Sequence, residues 1–286
     1  MSVTINQIKE LRERSAAGMM DCKKALEECG GDMDKAIDWL RQKGLSQVAK
    51  RASRAATEGR VSLRSSADGK TNMLTEVRCE TDFVSRGEKF QAFADLVADS
   101  AFEKNPANPE ELRALVENEF QTLLAQTGEN TIIGRVVRMD LDGPGIIASY
   151  IHTNEKLGVL VELSCEKEET ANNPQFKELG KNIAMQIAAS APLSIDSACL
   201  DQAEVERERE VQRQKTLEEG KPENMVEKIV EGRIKKFYQE VCLLEQTYIR
   251  DDKQTISALL QEEGKALGDK LGIRKFFRMQ LGEDGE

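Results

Sequence analysis

Shifted by 86 positions, residues 59–101 lie without gaps on residues 145–187. "LTEVRCE" (74–80) pairs with "LVELSCE" (160–166), and Glu76, Cys79 and Glu80 recur identically as Glu162, Cys165 and Glu166. Phe90 falls on Phe176, Val97 on Ile183 and Ala98 on Ala184. Each copy shows two short β-rich runs joined by turn residues, then a loop, then a 3.6-residue apolar period. Such a chain folds one α+β unit twice. A second repeat has a different offset: "GENTIIGRVVRMDL" (128–141) lies on "GDKLGIRKFFRMQL" (268–281), 140 positions on, so a further strand closes each unit. The second offset exceeds the first by 54 residues, which measures an insertion between Ile187 and Gly268. The charge-dense stretch at about 195–245, broken by Gly220-Lys221-Pro222, supplies it. Val226, Ile229, Val230, Ile234, Phe237 and Val241 share one face of its second half, so an antiparallel helical hairpin is expected, either a contact arm or a plain scaffold.

Residues 1–44 read as a three-helix head. Thr4 and Gln7 form a capping-box pair, and Ile5, Ile8 and Leu11 fall on one face. A second helix is expected from about Asp21 to Gly30-Gly31. A third, capped by Asp32, carries Met33, Ala36, Ile37 and Leu40 and stops near Gly44. Met19 and Met20 sit side by side at a turn, where both cannot easily face one core. Either one of them is core, or the pair is an adaptable apolar surface for a partner. Residues 45–58 read as a helical linker with a basic face of Lys50, Arg51 and Arg54, for which a plain solvated face is the favoured reading. The units that follow are core subdomain N (59–144) and core subdomain C (145–286).

The duplication is also an internal control. "TDFV" (81–84) maps onto "KEET" (167–170), and Phe83 maps onto Glu169. A position in a polar loop that takes glutamate in one copy is expected to be exposed in that scaffold. Phe83 therefore either packs on the head or the sister unit, or it is a hydrophobic plug for a partner pocket. Fully burying one phenylalanine contributes about 1.5–3 kcal/mol, enough for a hot spot.

Composition narrows the function. The formal charge of −10 argues against direct nucleic-acid binding as the main task. No apolar run approaches the ~18 residues that span a membrane. The N-terminus lacks the pattern of a signal or transit peptide. Six scattered cysteines, none in a CxxC pair, fit buried thiols of a cytoplasmic protein better than a disulfide frame or a zinc site. Cys79 with His152, the single histidine, could in principle pair as nucleophile and base, but Cys79 repeats as Cys165 at a packing position. No phosphate-binding loop, dinucleotide fingerprint or metalloprotease motif is present. A multidomain binding protein without covalent chemistry, metal or cofactor is expected.

Residues 11–44, "CETDFVSR" (79–86), "IAMQIAASAP" (183–192) and "EGKPENMVEKIVEGRIKKFYQEVCLLEQ" (219–246) resemble, in order, the bacterial elongation factor Ts family. The resemblance implies a UBA-like head, a coiled-coil hairpin, and guanine-nucleotide exchange on elongation factor Tu in its GDP-bound and nucleotide-free forms. In the family the TDFV loop enters beside the GTPase's nucleotide site and disturbs magnesium and phosphate binding. That role carries onto Thr81, Asp82, Phe83 and Val84, and the head's contacts carry onto Arg12, Met19 and Met20. His152 stands where the family has a partner-facing histidine, although "TNEK" replaces a turn that more usually contains glycine. Some members continue into a C-terminal helix, which is not expected after Gly285-Glu286. A UBA-type adaptor without exchange activity is the alternative.

Overall fold

The computed structural model describes residues 3–15, 17–51 and 54–283, leaving aside the side chains of residues 13, 41 and 44–51. The head consists of α1 (Ile5–Ser15), α2 (Met19–Glu28) and α3 (Met33–Arg51). Thr4 N donates to Gln7 Oε1 (3.0 Å) and Gln7 N donates to Thr4 Oγ1 (3.3 Å), closing the capping box. Gly30 and Gly31 take positive φ after α2, and Gly31 N donates to Leu26 O at 2.8 Å. Asp32 Oδ1 accepts from Lys35 N at 3.1 Å and caps α3. Leu11, Cys22, Ala25, Leu26 and Ala36 form a small buried core.

Three expectations change here. Ile5 is 72% exposed, because the first residue of α1 lies beyond the reach of that core, and Leu11 is the buried member of its face. α2 begins at Met19 rather than Asp21, since Gly18 already has the extended geometry of an N-cap. α3 passes through Gly44 to Arg51, so head and linker share one helix. One interior glycine costs a helix about 1 kcal/mol, which good helix formers on either side offset. The basic face expected at Lys50 and Arg51 lies outside the described side chains. The chain's end at Gly285-Glu286 lies outside the described residues.

The first unit runs β1 (Glu58–Ser65), β2 (Thr71–Cys79), α4 (Asp82–Ser85), α5 (Glu88–Lys104), α6 (Pro109–Leu115), α7 (Glu117–Thr127) and β3 (Thr131–Asp140). The second runs β4 (Gly145–Ile151), β5 (Leu157–Ser164), α8 (Glu168–Asn172), α9 (Pro174–Ser190), then α10 (Gln202–Glu218) and α11 (Glu223–Val241). It ends with β6 (Thr247–Tyr248), β7 (Asp251–Thr255), α12 (Ile256–Leu267) and β8 (Gly272–Gln280). Each unit has an antiparallel three-stranded sheet, ordered β1-β2-β3 and β4-β5-β8, covered on one face by α5 or α9.

The copies agree in detail. Gly59 and Gly145, 86 apart, both take positive φ, and an added Cβ would sit 2.1 Å from Val77 O or 2.2 Å from Leu163 O. Only glycine allows that approach. The register breaks beside Glu76 in one sheet and beside Glu162 in the other. The equivalent helices α5 and α9 end on Asn105 and Ala191, both left-handed and again 86 apart. α7 and α12 then match at the 140-residue offset.

Between the matched parts, residues 192–256 of the second unit replace 106–116 of the first. Val205, Val226, Val230, Ile234 and Cys242 hold α10 and α11 together, while Val211, Leu217 and Met225 remain exposed.

The uncovered sheet faces pack on each other through Val61, Leu74 and Met139 from one unit and Leu160, Met279 and Leu281 from the other. Two buried glutamates lock this contact reciprocally. Gly282 N donates to Glu76 Oε1 (2.7 Å), and Asp142 N donates to Glu162 Oε1 (2.9 Å). Glu76 also accepts from Arg135 Nε (3.3 Å), and Glu162 from Arg274 Nη1 (3.0 Å) with Lys275 Nζ 3.0 Å from its other oxygen. Buried carboxylates persist only when paired and hydrogen-bonded in this way. No described helix is long and apolar enough to cross a membrane.

Candidate functional site

β2 ends at Cys79, and the chain must turn before α5. α4 makes the turn with a single helical turn of four residues, too short to be stable alone. Its stability comes from side chains. Thr81 Oγ1 accepts from Val84 N (3.4 Å) as N-cap and donates to Glu129 Oε1 (2.6 Å). Glu129 Oε2 accepts from Glu80 N (3.1 Å) and Thr81 N (3.0 Å). At the far end, Ser85 is buried, its hydroxyl donates to Asp82 O (3.1 Å), and Gln91 Nε2 donates to Ser85 O (2.6 Å). Val84 packs on the unit's own core. Asp82 and Arg86 form an exposed ion pair at 3.3 Å.

What remains is Phe83, 87% exposed on a turn fixed at both ends. It packs on neither the head nor the sister unit. The equivalent loop is built on the same plan. Asp269, 140 residues beyond Glu129, accepts from Glu166 N and Lys167 N (both 3.1 Å) and from Thr170 Oγ1 (2.5 Å). Its tip carries the exposed Glu169. The carboxylate clamp at Glu129 is the part that sequence reasoning missed. Its signal was present, because an acid follows a left-handed glycine in both copies, at Gly128-Glu129 and Gly268-Asp269.

Cys79 is buried. Burial, together with the nearby carboxylate of Glu129, pushes its thiol pKa up to about 12. Its Sγ donates to Thr81 O (3.3 Å), as Cys165 Sγ does to Lys167 O (3.2 Å), so both thiols brace loops. His152 is exposed at the end of β4, its Nδ1 2.8 Å from Tyr150 Oη. The turn after it is held against the first unit: Val61 N donates to Glu155 O (2.7 Å), and Arg60 pairs with Glu155 (3.3 Å). Glu155 takes positive φ there, in the turn where "TNEK" lacks a glycine. In the head, Met19 is 53% and Met20 74% exposed on the first turn of α2, and Arg12 is exposed on α1. Neither methionine is therefore a core residue. Among the described residues, no cluster of histidine, cysteine and carboxylate side chains could hold a metal ion.

The family model for elongation factor TS matches residues 80–283, which takes in the Phe83 loop and the second unit as far as residue 283. The chain is 55% identical to elongation factor Ts of Nitratidesulfovibrio vulgaris (strain DP4), over 99% of this chain and 97% of that one. It is 52% identical to that of Desulfovibrio desulfuricans, over 98% of each. It is 50% identical to that of Lawsonia intracellularis, over 99% of this chain and 100% of that one. With identity of this order over nearly the whole chain, the chain belongs to the elongation factor Ts family of translation elongation factors.

Proposed function

We propose that the chain is a guanine-nucleotide exchange factor that binds elongation factor Tu·GDP and promotes GDP release, after which GTP rebinds. Thr81, Asp82, Phe83 and Val84 enter beside the nucleotide and magnesium site. The observation that carries this reading is the exposed Phe83 on a clamped turn, where the equivalent turn holds Glu169. A preorganised apolar tip spends little ordering entropy on binding. Arg12, Met19 and Met20 supply a second contact through the head, which we take as UBA-like, and His152 supplies a third from the second unit.

The mechanism is linkage. If the factor weakens GDP by a given ratio, GDP weakens the factor by the same ratio. Stabilising the nucleotide-free GTPase by about 3 kcal/mol changes its GDP affinity roughly a hundredfold. No covalent step or cofactor is needed. The net charge of −10 suits a protein partner in the cytoplasm rather than direct contact with nucleic acid or membrane.

Mixing the protein with elongation factor Tu carrying fluorescent GDP should accelerate release, and Phe83→Ala should remove most of the acceleration while folding normally. The exposed Met19-Met20 pair favours a second reading, a UBA-type adaptor without exchange activity. On that reading Met19→Ala with Met20→Ala abolishes binding, and Phe83→Ala changes nothing.

A further inference from the structure

Where the linker meets the core, a cavity of about 380 Å³ opens between residues 54–57, the ends of β2 and β3, and Leu281-Gly282. Arg54 and Arg78 both line it, with Ala55, Thr57, Ile132 and Leu281. Arg78 is unusual. Among the described residues it is the one partly buried arginine that pairs with no carboxylate; its buried Nε–H donates no hydrogen bond, as is also true of Arg60, Arg213 and Arg278, but those three each have an acid partner. The comparably placed Arg60, Arg135 and Arg278 all face an acid within 3.3 Å. Arg54 is only partly occupied, pairing with Glu80 at 3.4 Å.

The duplication shows that the scaffold does not require this guanidinium. At the equivalent place the second unit has Ser164, facing Gly272 across the strand pair, where the first has Arg78 facing Ile132. A partly buried, planar, five-donor cation that faces no acid among the described residues is an incomplete pair, and oxyanions complete such forks in two-pronged geometry. The cavity volume lies within the range of small-molecule sites, and its remaining walls mix apolar side chains with one hydroxyl.

We propose that this cavity binds a small molecule with an oxyanion head, phosphate or carboxylate, on a compact apolar body. Arg78 takes the head, Arg54 stands at the rim, and Ile132 and Leu281 cover the body. An occupant would touch linker, first unit and second unit at once.

The test uses the full chain with phenyl phosphate and benzoate as probes, followed by thermal unfolding and titration calorimetry. At roughly tenfold excess over Kd, the preferred probe should raise the unfolding midpoint by about 3 °C. A shift with phenyl phosphate identifies the phosphate class, and one with benzoate the carboxylate class. Arg78→Gln should abolish the shift. If Arg78→Gln proves unstable, Ala55→Trp, which fills the cavity mouth and leaves the guanidinium in place, should abolish it instead. No shift with either probe, or a shift that survives whichever variant folds, would overturn the site.

Discussion

The two units differ less in scaffold than in what they hold out. Both turn after the second strand on a short helix, both clamp that helix with a carboxylate from the start of the last strand, and both brace it with a buried thiol. One presents Phe83 and the other Glu169. The shared hydrogen bonds hold both turns in place, and the changed tip residues are the basis on which we propose that one unit acts as a plug. On that proposal, stability and activity should be separable within one repeat.

The reciprocal glutamates offer the largest effect with which to break this comparison. Glu76→Ala should destabilise the protein by about 3 kcal/mol in urea unfolding, because it strips a buried, multiply bonded carboxylate from Arg135 and Gly282 N. If the units are true counterparts, Glu162→Ala should cost a similar amount. A twofold discrepancy would mean that the lock is one-sided.

The clamps come next. Glu129→Gln should cost roughly 1–2 kcal/mol and slow exchange several-fold with Phe83 intact, since the tip loses its fixed base. Asp269→Asn should leave exchange unchanged, because its loop carries no plug. Equal kinetic losses in both variants would remove the distinction between the units.

A smaller effect is expected from acid. Thr170's hydroxyl, followed by the backbone amides that Asp269 accepts from, holds the Asp269 carboxyl below its ordinary value of 3.8. A depressed folded pKa contributes stability that is fully present above the unfolded value and lost as pH falls through the folded one. Wild type should therefore lose more stability than Asp269→Asn between pH 5 and pH 3. Parallel pH profiles would show that the clamp is not ionic.

The smallest effect belongs to the thiol. With its pKa near 12, Cys79 stays protonated at neutral pH, and Cys79→Ala should exchange at the wild-type rate within twofold. A large kinetic loss without unfolding would reopen thiol chemistry.

Much of this was legible in the sequence because duplication writes the same constraints twice. The offsets of 86 and 140 located the strands that close each sheet, and Glu169 marked Phe83 as a surface position. The run through Gly44 was not legible, because glycine stops a helix only when its neighbours do not outweigh it. The inter-unit lock was also missed. Identical Glu76 and Glu162 look like two acids among many until the sheets are packed face to face. Exposure of both Met19 and Met20 depended on where α2 begins, a boundary that the Gly18 cap shifts by two residues.

The most direct measurement converts one unit's tip into the other's. Phe83→Glu gives the first loop the residue its sister already tolerates, so the fold should be unchanged by circular dichroism and melting. Release of fluorescent GDP from elongation factor Tu should then fall at least tenfold. A folded Phe83→Glu variant that exchanges at the wild-type rate would contradict the claim that the difference between the two units is the site of action.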